Sequence, residues 1–274
     1  MTKTKWEYPW KKFSNKYMYI MSPSAPSEGD IKIVEKYLKN ILKKDKKPNI
    51  LILGCTILSR RLFAEYGLYV ELADINREMY KMNSYALRDI KRDEKLIVTD
   101  WLNLKLGKKY DLIVGDFAIT NIPMNKRDKF CKSVKACLKD DGIFLERVCW
   151  LPKKESVKQI LAHYKGRGIN RKILSIMWWD AVFNFGYDKK TETIRNKEGY
   201  ESLKKALIEH KMERWIKPYE EHVPLESKVW SVPTRAAQDK QIKKHFKLIK
   251  AEYAKDYRFC ETCPTYVLKK RSVK

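Results

Sequence analysis

The segment that decides the fold is NILILGCTILSRRLFAEYGLYVELADIN, residues 49–76. Its apolar run at residues 50–53 is too short for a helix and ends at Gly54, which favours a buried parallel strand. Apolar residues at helical spacing follow, and a second apolar run at residues 69–73 leads into Asp74. The segment predicts a strand, a glycine turn, a helix and a second strand that ends in an acid.

An acid about 20 residues after a glycine turn is where doubly wound sheets bind the two hydroxyls of an adenosine ribose. The alternative is an ordinary βαβ unit without a ligand, because every α/β protein contains such units.

Two later predicted strands also end in acids. Residues 95–99 lead to Asp100, and residues 112–115 lead to Asp116. A helix, a turn at residues 139–142 and a strand at residues 143–148 are predicted to follow. Because parallel strands present their carboxyl ends at one edge, we expect a ligand site there.

These motifs resemble those of the class I S-adenosylmethionine-dependent methyltransferases over residues 48–148. ILILGCT stands at the first glycine motif of that family, LADIN at its acidic ribose-binding strand end, VTDWL at its adenine-flanking pair, YDLIVGD at its fourth motif and LKDDGIFLER at the next strand. The family's last helix and hairpin are matched by residues 236–246, 247–253 and 266–270. The resemblance implies an α/β fold with a doubly wound, mostly parallel seven-stranded sheet and a C-terminal antiparallel hairpin.

One departure from the family is the first turn, which has one glycine where three are common. Gly54 is followed by Cys55 and Thr56, so the backbone can approach a ligand closely at one residue only. A pyrophosphate needs a longer glycine-lined approach, whereas S-adenosylmethionine has no phosphate. The turn therefore favours a methyltransferase over a dinucleotide-binding protein.

The resemblance implies S-adenosylmethionine as the cofactor. Asp74 would accept hydrogen bonds from both ribose hydroxyls, and Asp100 would bind the adenine amino group. Arg60 or Arg61 would pair with the cofactor carboxylate, unless they lie on a solvated helix face. The implied cofactor-binding residues are Gly54, Cys55, Thr56, Asp74, Ile75, Asp100, Trp101 and Asp116.

A general base is needed only if the accepting atom is protonated. The candidate catalytic residues are Asp116, Tyr17 and Tyr19. The residues after Asp116 do not form the Asn-Pro-Pro-Tyr type of motif used for amino groups of DNA bases, which disfavours methylation of a flipped base.

Residues 1–30 are an aromatic segment that we expect to cover the ligand edge, and residues 31–149 and 236–274 form the predicted core. Residues 150–235 exceed the minimal fold of the family and are predicted to be a mainly helical, substrate-recognising insertion. Its aromatic residues, with one acid among them, would suit a cationic or planar substrate. The candidate substrate-binding residues are Trp150, Trp178, Trp179 and Asp180, with packing inside the insertion as the alternative.

Composition sets the remaining expectations. The net charge of +25 divides into +11 over residues 1–150 and +14 over residues 151–274, so it gives no defined track for a polymer. Six scattered cysteines and no signal-like segment suggest a cytoplasmic protein without a membrane span. The Cys260/Cys263 pair has no second pair or nearby histidine, so no metal is expected.

The sequence thus predicts methyl transfer from S-adenosylmethionine to a small-molecule acceptor. Two alternatives stay open: an RNA or protein methyltransferase, which the basic charge favours, and a cofactor-binding or nucleic-acid-binding module without catalysis.

Overall fold

A computed structural model describes residues 22–223 and 229–271 of the chain. The helices are α1 (Glu28–Leu42), α2 (Ile57–Glu65), α3 (Arg77–Ala86), α4 (Arg127–Cys137), α5 (Val157–Ala162), α6 (Arg171–Asn184), α7 (Asn196–Glu209), α8 (Ile216–His222) and α9 (Arg235–Lys243). The strands are β1 (Ile50–Leu53), β2 (Tyr69–Asp74), β3 (Asp93–Val98), β4 (Tyr110–Asp116), β5 (Leu138–Arg147), β6 (Tyr187–Asp188), β7 (Thr193–Arg195), β8 (Val229–Ser231), β9 (Phe246–Glu252) and β10 (Thr265–Lys270).

Seven strands form the central sheet in the order β3-β2-β1-β4-β5-β10-β9. Strands β1 to β5 pair in parallel, and β10 runs antiparallel to both of its neighbours. The predicted doubly wound, mostly parallel sheet with a C-terminal antiparallel hairpin is confirmed.

Both faces of the sheet are buried at its centre, which explains why β1 is apolar without alternation. Ile50 and Ile52 of β1 face a layer that includes α1 and α2, whereas Leu51 and Leu53 face a layer that includes α4 and α9. The parallel strands therefore all end at the same edge, between the two layers.

Helix α1 begins at Glu28, directly after the proline-rich stretch. Ser27 is its N-cap, and Asp30 is the third residue of the helix. The Ser27 hydroxyl accepts a hydrogen bond from the Asp30 N–H at 3.1 Å, and the Asp30 carboxylate accepts one from the Ser27 N–H at 2.9 Å. This capping box satisfies two backbone donors at once, which is why the helix begins at Glu28.

The predicted turn at residues 139–142 is wrong, because β5 starts directly after α4. Leu138 pairs with Tyr110, and Ile143 pairs with Leu112. The register shifts between these two pairs, so β5 has more residues than β4 over this stretch. Lys139 also donates to the Asp111 carboxylate at 2.8 Å, which helps to hold this segment against β4.

Residues 150–235 contain helices α5 to α8, as the prediction of a mainly helical insertion requires, and a separate sheet in the order β6-β7-β8. Most of helix α8 and all of strand β8 lie within residues 217–233. Both depend on distant partners that periodicity does not reveal: Tyr219 of α8 stacks on Tyr200 at 5.0 Å, and β8 pairs with β7.

The insertion shares its apolar interior with the loop between β9 and β10, which supplies Tyr257, Phe259 and Cys263. Across residues 22–223 and 229–271, no helix combines the length and the apolar character needed to cross a membrane.

Candidate active site

The carboxyl ends of β1 and β2 bring three predicted residues together. Gly54 has φ +99°, in the left-handed region that glycine adopts without strain. A Cβ atom built on Gly54 would lie 3.6 Å from the Trp101 ring and 3.9 Å from Asp74 Oδ2. The Trp101 indole N–H donates to the Ala73 carbonyl at 2.6 Å, which fixes the ring across the two strand ends. The Asp74 carboxylate and the Trp101 ring therefore both lie next to the backbone of Gly54.

Hydrogen bonds from α3 and its first turn hold this arrangement. The Asn83 side chain donates to the Cys55 carbonyl at 2.8 Å, and the Asn76 N–H donates to Asp74 Oδ1 at 2.8 Å. The Cys55 thiol is buried beside Asp74, and burial, followed by the negative charge of Asp74, raises the pKa of Cys55. Cys55 is therefore a neutral thiol that packs under the site.

The other predicted cofactor residues lie around the same edge. Ile75 is 66% exposed directly after Asp74, so an apolar side chain stands open to solvent where an aromatic ring could cover it. Asp100 is exposed, and its Oδ1 accepts a hydrogen bond from the Leu102 N–H at 2.9 Å. Thr56 precedes α2 and makes no side-chain capping bond.

Asp116, at the end of β4, lies in a buried ion-pair network. Its Oδ1 accepts a hydrogen bond from Arg147 Nε at 2.6 Å. The same guanidinium contacts Asp30 at 3.4 Å, Tyr257 Oη at 3.3 Å and the Pro23 carbonyl at 2.8 Å. Burial raises the pKa of Asp116, and the positive charge of Arg147 opposes that rise. Asp116 is therefore a paired carboxylate.

Glu146, next to Arg147 in the chain, points to the opposite face of the sheet. Its Oε1 accepts a hydrogen bond from the Ile119 N–H at 2.9 Å and so anchors the loop that follows β4. Its Oε2 has no hydrogen-bond partner among the residues that the structure describes, and it would lie 1.8 Å from a Cβ atom built on Gly115. Burial raises the pKa of Glu146 to about 8, so this carboxyl group is largely protonated at neutral pH.

A narrow cleft lies beside this network, between α1 and the ends of β4, β5 and β10. It is lined by Asp30, Val34, Ser59, Asp116, Arg147 and Thr265, among others. The loop beyond Asp116 opens with Phe117, whose φ of +54° is unusual for a residue with a side chain. Its ring lies 4.0 Å below the Arg147 guanidinium, which fixes where the loop leaves the strand.

The predicted substrate-binding residues are all buried. Trp178, Trp179 and Asp180 are 4%, 3% and 0% exposed, so packing inside the insertion accounts for their position. Asp180 is paired with Arg258 at 2.9 Å and also contacts the Tyr164 hydroxyl. Trp150 packs on Tyr266 at a ring distance of 6.1 Å.

Trp179 contacts residues from two other segments near the strand edge. Its indole N–H donates to Ser24 Oγ at 2.7 Å, and its ring meets Phe117 at 6.0 Å. It thereby connects the insertion, the segment before α1 and the loop after β4.

The expectations for Arg60 need correction. Arg60 is 1% exposed and pairs through two nitrogens with Glu94 at 2.5 and 3.0 Å, so it lies neither on a solvated face nor free for a cofactor. Tyr17 and Tyr19 lie outside the described residues. In the part of the chain that the structure describes, no three His, Cys, Asp or Glu side chains gather as a metal site.

Glu146 and Arg147 were missed by sequence reasoning. Their signal was the pair of charged residues at the end of the apolar strand in GIFLER, at the same edge as Asp116. A charged residue at the end of a buried parallel strand is costly to bury alone, so it is expected to pair with a charged or polar group nearby.

No protein-family profile matches the chain, and no curated protein matches it either. Solved structures do match it. An S-adenosylmethionine-dependent methyltransferase from Clostridium acetobutylicum is 16% identical, with TM-score 0.54, over 96% of this chain and 99% of that one. The CcbJ methyltransferase from Streptomyces caelestis is 10% identical, with TM-score 0.56, over 90% and 91%. The N-methyltransferase NodS from Bradyrhizobium japonicum, in complex with S-adenosyl-L-homocysteine, is 8% identical, with TM-score 0.51, over 95% and 98%.

These likenesses extend over nearly the whole of each chain, and the strand order agrees with the expected one. The chain has the fold of the class I S-adenosylmethionine-dependent methyltransferases.

Proposed function

We propose that the protein is an enzyme that transfers a methyl group from S-adenosylmethionine to a small-molecule acceptor. The observation that carries the proposal is the convergence of Gly54, Asp74 and Trp101 at the carboxyl edge of β1 and β2. In a doubly wound sheet this edge is where nucleotide-like ligands bind.

The residues at this edge fit an adenosine with a methionine attached. Asp74 offers carboxylate oxygens to the two ribose hydroxyls. Ile75 and Trp101 offer apolar surface to the adenine, and Asp100 offers an acceptor to its amino group. Gly54 has no side chain, so the methionine part could approach its backbone closely. When bound, the cofactor supplies a methyl group on a positively charged sulfur.

The edge of β4 and β5 is where we place the acceptor. Asp116 and Arg147 fix each other in place, and Glu146 anchors the loop after β4 through the Ile119 N–H. Rigid walls favour methyl transfer because they hold the acceptor in line with the methyl group and exclude water. A reaction promoted in this way needs no strong base. Asp116 stays the candidate base for a protonated acceptor.

The small acceptor is favoured over a polymer by the contact that Trp179 makes with Phe117, which brings the insertion over the edge. The net charge of +25 favours RNA as the second candidate.

The test uses S-adenosylmethionine with a labelled methyl group. The protein is incubated with a cell extract separated into small molecules, RNA and protein, and the label in each fraction is counted. We expect label in the small-molecule fraction, and much less of it with the Asp74→Asn variant when the cofactor is below saturation. Label found only in RNA or only in protein would show that the acceptor is that polymer and not a small molecule. The absence of enzyme-dependent label in every fraction would overturn the proposal.

A further inference from the structure

Two buried cysteines meet behind the edge of β5 and β10. The Sγ atoms of Cys149 and Cys263 lie 3.7 Å apart, although 114 residues separate them in the chain. Both side chains are fully buried. The two residues lie just beyond the paired ends of β5 and β10, in the extension of that antiparallel pair.

The backbone register places these cysteines directly opposite each other. Thr265 pairs with Arg147 in the ladder, the Val148 N–H donates to the Pro264 carbonyl at 3.0 Å, and the Trp150 N–H donates to the Thr262 carbonyl at 3.1 Å. Cys149 and Cys263 lie between these last two bonds, at a position without hydrogen bonds between the paired residues. Antiparallel strands approach most closely there, within the Cα separation that a disulfide spans.

We propose that Cys149 and Cys263 are a thiol-oxidation site that forms a cross-strand disulfide when the protein meets a peroxide. The geometry alone carries this inference, and it does not depend on methyl transfer. The strands already hold the two sulfurs close together, so linking them needs side-chain rotation and little movement of the backbone.

The half-exposed Cys260 gives the oxidant a route to the buried pair. It precedes Cys263 by one short helical turn, in which the Cys263 N–H donates to the Cys260 carbonyl at 3.2 Å. Burial raises the pKa of Cys149, which makes that thiol a slow first reactant. The first sulfur to react is therefore the one that solvent reaches.

The chemistry balances with one peroxide. The Cys260 sulfur attacks a peroxide oxygen and becomes a sulfenic acid, and the first water leaves. The Cys263 sulfur then displaces the hydroxyl from Cys260 as the second water and forms an S–S bond. Finally the Cys149 sulfur attacks Cys263, and Cys260 leaves as a thiol. Two thiols lose two electrons and two protons, and the peroxide becomes two waters.

The disulfide would fix the backbone that supports the Asp116 network. Cys149 follows Arg147 by two residues, and the Tyr257 hydroxyl, which contacts Arg147, lies 3.4 Å from the Cys263 carbonyl. Oxidation at this position would therefore restrict the backbone that positions Arg147 and Tyr257 at the β4 and β5 edge.

The test treats the folded full chain with hydrogen peroxide, alkylates the free thiols in denaturant and maps linked peptides by mass spectrometry without reduction. We expect a peptide that joins Cys149 to Cys263, with Cys260 alkylated. Cys131, which is 1% exposed on α4, is the matched buried control and should stay reduced. A stable link between Cys260 and Cys263, or no link to Cys149, would overturn the proposal.

The role of Cys260 is tested by Cys260→Ser, which leaves the buried pair intact. We expect the same link to form about tenfold more slowly, because the peroxide must then reach a buried sulfur. Cys131→Ser should leave the rate unchanged. An unchanged rate in Cys260→Ser would show that the buried pair reacts directly and would overturn the proposed route.

Discussion

The two halves of the strand edge differ in how their polar groups are satisfied. At β1 and β2, the partly buried Asp74 lies beside the Gly54 turn, and exposed Ile75 follows it. At β4 and β5, Asp116 is paired with Arg147, and Glu146 is fully buried. The first half is partly accessible to solvent and is our proposed cofactor site, whereas the second half buries its charged groups against each other.

The difference implies that substitutions in the two halves have different consequences. A paired buried charge is costly to leave without its partner, so changes at β4 and β5 should lower the free energy of unfolding. Asp74, at the proposed cofactor site, is only partly buried, so changes at β1 and β2 should lower cofactor affinity at a smaller cost to folding.

The largest effect is expected for Arg147→Met, which keeps an unbranched apolar side chain and removes the guanidinium group. Asp116 and Asp30 then lose their shared partner inside the protein, and we expect the free energy of unfolding to fall by about 3–5 kcal/mol. Urea denaturation measures it.

The matched control for that variant is Arg195→Met. Arg195 pairs with Asp188 at 2.6 Å, but its side chain is 44% exposed. Exposed pairs contribute less than about 1 kcal/mol. Equal losses in the two variants would contradict the structural role of the Arg147 network.

The next effect concerns pH and Glu146→Gln. The pKa of Glu146 is raised from 4.5 to about 8 in the folded protein. The folded state therefore keeps a proton that the unfolded chain releases, and stability falls as pH rises from about 4.5 to 8. Glutamine keeps the oxygen that accepts the Ile119 N–H and does not titrate.

We expect the variant to avoid a loss of a few kcal/mol over that window, since one pKa unit corresponds to about 1.4 kcal/mol. Urea denaturation at pH 5 and pH 8 compares the two proteins, and other titrating groups are common to both. Parallel pH profiles would show that Glu146 is ionised in the folded protein.

Cofactor binding should respond to Asp74→Asn. Asparagine retains an oxygen for the Asn76 N–H and loses the charge that strengthens bonds to ribose hydroxyls. We expect the affinity for S-adenosylmethionine to fall roughly ten- to a hundredfold by calorimetry, with little change in thermal stability. Asp93 is an exposed acid at the first residue of β3, at the opposite edge of the sheet from Asp74. The control variant Asp93→Asn should bind S-adenosylmethionine normally. Normal binding of S-adenosylmethionine by the Asp74→Asn variant would show that Asp74 does not contact the cofactor.

The smallest effect is expected for Trp101→Phe. Phenylalanine keeps an aromatic face but loses the hydrogen bond to the Ala73 carbonyl that orients the ring. We expect the cofactor affinity to fall by about 1 kcal/mol, or roughly fivefold. Trp230→Phe, in β8 of the insertion, is the control and should leave the affinity unchanged. A larger loss for Trp230→Phe would mean that the insertion, and not Trp101, shapes the cofactor site.

The sequence predicts the β1 and β2 half well because its signals are local. Gly54 closes one apolar run and Asp74 closes the next, so position along the chain is enough to place them at one edge. Trp101 was placed by the resemblance, and its bond to Ala73 follows from the pairing of adjacent strands.

The β4 and β5 half was harder to predict because its partners are distant in sequence. Arg147 joins Asp30, 117 residues away, and Tyr257, 110 residues away. Ser27, and not Asp30, is the N-cap of α1. The buried Arg60 pairs with Glu94, which lies 34 residues later in the chain. Periodicity describes which face of an element is apolar, but it does not reveal which charged residues meet across a fold.

The measurement that tests the account most directly is a calorimetric titration of the purified protein with S-adenosylmethionine, run in parallel with NAD. The account predicts saturable binding of S-adenosylmethionine at one site per chain and no heat of binding with NAD, whose pyrophosphate the single-glycine turn does not fit. Binding of NAD, or no binding of S-adenosylmethionine, would contradict it.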